Sequence, residues 1–224
     1  MTITENYQRI RAEVPDHVTI VLACKKRLPE EVAEVIEAGA TDLGENYVQE
    51  AEKMFDALGD RTDKVRWHMI GSLQKNKINK ALRVFDVVQT VHSVGQAEAI
   101  DRRARTIGKK LGALIEVNIG GEVAKSGMPP EYAEIEKLAR RISGLEYLRL
   151  EGLMTMGPFY GDPEALRPHF RKTKEIFDKL ATPGLPDTDL RYLSMGMSDS
   201  YRVAIEEGSN MIRLGTVIFG ERPV

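Results

Sequence analysis

The chain changes its apolar periodicity repeatedly, from short β-branched runs to stretches with apolar residues three and four apart. That alternation restricts the fold more than any other feature. Residues 18–24 form the first run, and residues 29–38 follow with a helical stripe of Val32, Val35 and Ile36. Pro29 suits the first helical turn, and Gly39 suits the end. The unit recurs as 40–43 into 47–58, 65–70 into 73–82, 84–91 into 95–108 and 111–118 into 130–142. It continues as 148–156 into 163–180 and 190–195 into 199–207, and ends in the apolar run 211–219. Residues 3–13 add a leading helix. Eight strands joined by helices imply parallel pairing with right-handed crossovers, an α/β fold. We expect a (β/α)8 TIM barrel with an extra N-terminal helix. An open doubly wound sheet is the competing arrangement. The barrel is preferred because the last strand, at the end of the sequence, can close against the first.

No composition break divides the 224 residues, and the loop at 182–189 is too short for a linker, so one domain over 1–224 is expected. With 32 Lys plus Arg against 34 Asp plus Glu, the net charge is −2, which supplies no overall field for nucleic acid or an anionic membrane. The longest apolar stretches fall short of the ~20 residues of a membrane span. The first residues lack the basic and apolar regions of a signal peptide. Cys24 is the single cysteine, excluding an internal disulfide and a cysteine metal cage. No His/carboxylate spacing suits a metal either. A cytoplasmic protein is the expectation.

In such barrels chemistry sits at the C-terminal ends of the strands. Lys26 shares parity with Val18, Ile20, Leu22 and Cys24; if these face the barrel interior, so does Lys26. An amine among apolar walls favours its neutral form and can attack an aldehyde. Lys25 remains open as the alternative, and both lysines could simply be solvated. Ser194-Met195-Gly196-Met197-Ser198 offers hydroxyls and a tight turn, with Ser198 a plausible cap of the next helix. Arg213, Gly215 and Thr216 add a cation, close backbone approach and a hydroxyl where barrels of this kind bind phosphate. Together they specify a phosphate. Asn46 could cap a helix, and His68 could be a hydrogen-bonded barrel histidine. Asn118, Glu122 and Lys125 complete the polar strand ends, Lys75, Lys77 and Lys80 read as a solvated face, and Met154, Met156, Met195 and Met197 as packing around a ligand.

Six motifs occur in order: Leu22-Ala-Cys-Lys-Lys26-x-x-Pro29, Gly44-Glu-Asn-Tyr-Val-Gln-Glu50, Trp67-His-Met-Ile-Gly-Ser-Leu-Gln-Lys-Asn-Lys77, Gly152-Leu-Met154, Leu193-Ser-Met-Gly-Met-Ser-Asp199 and Val217-Ile-Phe-Gly-Glu-Arg222. From about Val18 to Arg222 the chain resembles the pyridoxal phosphate homeostasis protein family. The resemblance implies the alanine racemase N-terminal barrel and a monomer that binds pyridoxal 5′-phosphate without established catalytic activity. It implies a Schiff base on Lys26, Arg213 at the pyridine nitrogen, Ser194, Gly215 and Thr216 on the phosphate, and Asn46 near the ring; Met195 and Gly196 belong to the same cofactor-binding stretch. Apo forms of pyridoxal phosphate enzymes are the implied acceptors. Lys25 and Ser72 depart from the family pattern, which often has Ser and His there. An arginine at the ring nitrogen weakens the cofactor as an electron sink, which suits a binder or an alanine-racemase-type enzyme that avoids a long-lived carbanion. A racemase-like enzyme is the alternative, with His68 standing in for a second acid/base group, and a lysine aldolase using Glu45 is a third.

Overall fold

The computed structural model describes residues 1–122, 126–158, 161–181, 185 and 188–221. Eight parallel strands close a barrel in sequence order: β1 (Thr19–Ala23), β2 (Asp42–Glu45), β3 (Arg66–Met69), β4 (Val87–Val91), β5 (Leu111–Val117), β6 (Leu148–Thr155), β7 (Tyr192–Ser194) and β8 (Met211–Leu214). Closure is direct, with Ile20 opposite Ile212 and Val21 opposite Arg213. The crossovers are α2 (Pro29–Glu37), α3 (Val48–Leu58), α4 (Ile78–Val84), α5 (Val94–Ile107), α6 (Tyr132–Ser143), α7 (Arg167–Ala181) and α8 (Tyr201–Glu206). The leading helix α1 (Ile3–Glu13) starts in a capping box between Thr2 and Glu5 and packs on α2 and the last helix. The expected (β/α)8 barrel is therefore present, and the open sheet is excluded by the β1–β8 pairing.

The last apolar run divides. Strand β8 stops at Leu214, Gly215 takes φ −127° and ψ −81°, and Thr216–Phe219 forms a one-turn helix, α9. Gly215 and Thr216 therefore stand just beyond the strand, at the mouth of the barrel. The helix expected over 73–82 begins instead with a 3-10 turn at Lys75–Lys77, and α4 follows it.

Each strand buries two faces. Val18, Ile20, Leu22 and Cys24 belong to the large apolar layer between strands and helices. Val21, with Ala23 packed beside it, belongs to a separate inner cluster with Ile70, Val87, Leu114, Met154 and Met211. The expected parity is thus reversed: odd-numbered positions of β1 point inward, and Lys26 does not continue the inward row. The cause is general. Strands buried on both faces read as continuous apolar runs and carry no alternation to mark the inside.

Candidate functional site

Three consecutive cations follow β1 and have three different fates. Lys25 is half-buried, with Nζ 4.9 Å from the centroid of the Tyr47 ring. Lys26 is exposed and adopts φ +60°, the one left-handed non-glycine among the described residues. That conformation costs a residue with a Cβ roughly 1–2 kcal/mol, and here it turns the chain so that Arg27 faces inward. Arg27 is buried and donates to the carbonyls of Phe219, Gly220 and Glu221. It thereby ties the loop carrying Lys25 to the C-terminal end of α9. Nothing in the earlier pattern marked Arg27; a third charge in a row gave no hint of burial.

At the C-terminal ends of the strands lies a cavity of about 600 Å³, within the ~300–1,000 Å³ of small-molecule sites. Ala23, Asn46, Arg213, Gly215 and Thr216 line it, joined by Ser198, Asp199 and the apolar Ile70, Met156 and Met197. Ser198 does not cap α8. Its Oγ accepts from the backbone N–H groups of Gly215 (3.1 Å) and Val217 (3.4 Å), across the mouth. Asn46 does not cap α3 either, since Tyr47 is the capping residue and makes no side-chain bond. Asn46 instead lines both this cavity and a neighbouring one of about 460 Å³ that Ser72, Gln74 and Lys77 also border.

Ser194, Met195 and Gly196 do not reach the cavity. The Ser194 hydroxyl is fully buried on β7, beneath the mouth, and accepts from Arg213 Nη1 at 2.7 Å. It serves the guanidinium rather than an incoming anion. Met195 packs in the layer between strands and helices. Gly196 has φ +94°, and a Cβ there would stand 2.6 Å from that of Ala204; its part is the close approach of α8, while its carbonyl accepts from Arg213 N. His68 proves to be a hydrogen-bonded barrel histidine, fully buried between Asp42 and Gln89. Asn118 and Glu122 bond each other at the end of β5, and Lys125 lies outside the described residues.

Arg213 forms the cavity floor at 4% exposure. Its hydrogen bonds go to Ser194 Oγ and to the Thr155 carbonyl, both neutral. Burial pulls its pKa down to about 10, with Glu116 opposing, so the cation persists at neutral pH. Glu116 is itself pushed above the usual carboxylate range by burial, against a bond from Ser126 and the charges of His92 and Arg213. On the outer face of β2, burial and then Glu50 push Glu45 up to about 8, opposed by the Asn46 amide and Lys25. A buried cation without a hydrogen-bonded carboxylate and the hydroxyls of Ser198 and Thr216 along one wall suit an anionic ligand.

A family profile described as "Alanine racemase, N-terminal domain" matches residues 1–223. The "Pyridoxal phosphate homeostasis protein" of Aquifex aeolicus is 38% identical over 213 residues, covering 95% of this chain and 91% of its own. Among solved structures, PipY of Synechococcus elongatus with pyridoxal phosphate bound superposes with a TM-score of 0.87 at 30% identity, over 98% of this chain and all of that one. An alanine racemase of Clostridium difficile matches with a TM-score of 0.79 at 20% identity over this whole chain and 57% of its own, a likeness of fold.

Proposed function

The chain belongs to the alanine racemase N-terminal domain family and, within it, to the pyridoxal phosphate homeostasis proteins, and from this membership we propose that it binds pyridoxal 5′-phosphate at the barrel mouth and takes part in vitamin B6 homeostasis as a carrier. The donor set fits that cofactor. A phosphate needs several donors, and the Ser198 and Thr216 hydroxyls line one wall of the cavity, with the Gly215 amide donating to Ser198 Oγ and leaving the Ser198 proton to be given elsewhere. The methyl that any other residue would add at Gly215 would stand beside Ala23, a wall of the same cavity. Arg213, donor-only and charged, suits the unprotonated nitrogen of the ring.

Lys25 supplies the amine in this reading, and Lys26 does not. Val21 and Ala23 form the inward row of β1, Lys25 is half-buried in the turn directly after it, and Lys26 is exposed. Once bound, the cofactor offers an aldehyde that an amine can hold covalently and give up to another amine. The observation that carries the proposal is the convergence of Arg213, Asn46 and the Gly215–Thr216 wall on one cavity that Ala23, two residues before Lys25, also lines. His68, the group a racemase reading would need, has both ring nitrogens engaged below the floor. That favours the carrier.

Titration of cofactor-free protein with pyridoxal phosphate tests this. A visible absorbance band is expected in wild type and Lys26→Ala and is lost in Lys25→Ala, with transfer to an apo acceptor enzyme and no turnover of alanine. A band that survives in Lys25→Ala, or alanine racemisation that depends on Lys25, overturns it.

A further inference from the structure

A continuous line of hydrogen bonds runs through the barrel interior from β2 to β8. Arg213 Nη1 donates to Ser194 Oγ at 2.7 Å, and the Ser194 hydroxyl donates to Gln89 Oε1 at 2.7 Å. Gln89 Nε2 lies 3.0 Å from His68 Nδ1, and His68 Nε2 lies 2.8 Å from Asp42 Oδ1. His68, Gln89 and Ser194 are completely buried, so none of these three exchanges its partner for water.

The direction of every bond follows from one end. A guanidinium only donates, so Ser194 Oγ must accept from it and send its own proton to Gln89. With Oε1 so used, the Gln89 amino group faces His68, and Nδ1 must accept. The imidazole proton then lies on Nε2 and is given to Asp42. Asp42 fits the role of final acceptor: the Thr41 hydroxyl donates to its other carboxylate oxygen at 2.7 Å and Arg66 adds a positive charge from β3, so the carboxylate is supported without any charge on His68. The other contact of the Gln89 amino group is Met211 Sδ at 3.3 Å, which demands no donor of its own.

We propose that His68 and Gln89 are positioning residues for Arg213, and that the line from Arg213 to Asp42 holds His68 as the neutral imidazole with its proton on Nε2. This rests on the reading that Arg213 floors the cofactor cavity. A second proton on His68 would have to sit on Nδ1, facing the Gln89 amino group. The amide would then reverse, Gln89 would donate to Ser194 together with Arg213, and the Ser194 proton would lose its acceptor. The proton position on His68 is thus coupled to Arg213, three side chains away.

Nitrogen-15 histidine NMR on the cofactor-free protein tests the line without any ligand. His68 is expected to show a protonated Nε2 and an unprotonated Nδ1 at neutral pH; a Nδ1–H tautomer, or a charged ring at pH 7, overturns the proposal. Gln89→Glu keeps an acceptor for Ser194 but cannot donate to Nδ1, so His68 should acquire a proton there. An unchanged His68 signal in that variant overturns the proposal as well. Gln89→Leu should weaken pyridoxal phosphate binding about 10-fold, the scale of one charged hydrogen bond, and unchanged affinity would count against positioning. Loss of capture by Lys25 in the wild type would instead refute the functional reading and leave the NMR result standing.

Discussion

The two ends of the barrel hold their charges in opposite ways. At the foot, Glu151 is 1% exposed and accepts from Arg66, Arg149 and Arg191 at 2.7, 2.7 and 3.2 Å, with Asp189 closing on Arg191 at 3.3 Å. A cavity of about 830 Å³ lies there, larger than the one at the mouth. At the mouth, Arg213 is just as deeply set, yet its hydrogen bonds go only to neutral acceptors. Cavity size points to the foot and unmet charge to the mouth, and the second criterion is the physical one. A cluster whose ions already satisfy one another has little to offer a ligand, whereas a desolvated guanidinium without a bonded carboxylate gains from one.

The contrast is broken most severely at the foot. Glu151→Ala leaves three guanidiniums without their common acceptor and should cost about 1–3 kcal/mol of stability, since water reaches the arginines left behind, read from urea midpoints, with pyridoxal phosphate affinity within about two-fold of wild type. An affinity loss there would undo the division between the ends.

Glu45 gives an effect of similar size, and it depends on pH. Its pKa in the folded chain is raised from the ordinary 4.5 to about 8, so the folded state prefers it protonated. That stabilisation is complete below about pH 4.5 and is lost as pH rises through about 8. Glu45→Gln should remove the loss, gaining on the order of 3 kcal/mol over wild type at pH 9 and little at pH 5. Equal differences at the two pH values would contradict it.

Arg213→Met reverses the foot result. Binding should fall about 10- to 100-fold, while thermal stability holds or rises because a desolvated charge is removed. Smallest is Gly215→Ala. Its methyl would make ordinary contact with Ala23, 3.6 Å away, at a negative φ, so the melting temperature should stay put. The methyl narrows the phosphate wall, and an affinity loss of about five-fold, or 1 kcal/mol, is expected by calorimetry.

The alternation of strand and helix was open to reading because amphipathic helices carry a period that the strands lack. The barrel and the mouth residues Arg213, Gly215 and Thr216 followed from it, whereas Asn46 read as a helix cap and only the family resemblance set it near a ligand. The inward face of β1 did not, since Val18–Cys24 is apolar at both parities. A signal for the inside existed elsewhere. Asp42, His68, Gln89, Glu116, Ser194 and Arg213 each stand among apolar neighbours on a strand, and a polar side chain surviving in such a run marks the face where it can find a partner. Met195, one place beyond Ser194, falls on the other face for the same reason. The left-handed turn at Lys26 had no such signal, because lysine carries no preference for it.

Borohydride reduction of the protein loaded with pyridoxal phosphate, followed by peptide mass spectrometry, addresses the central claim most directly. A pyridoxyl group fixed on Lys25 is the expected result. A label on Lys26, on Lys110 at the foot, or on no lysine would contradict it.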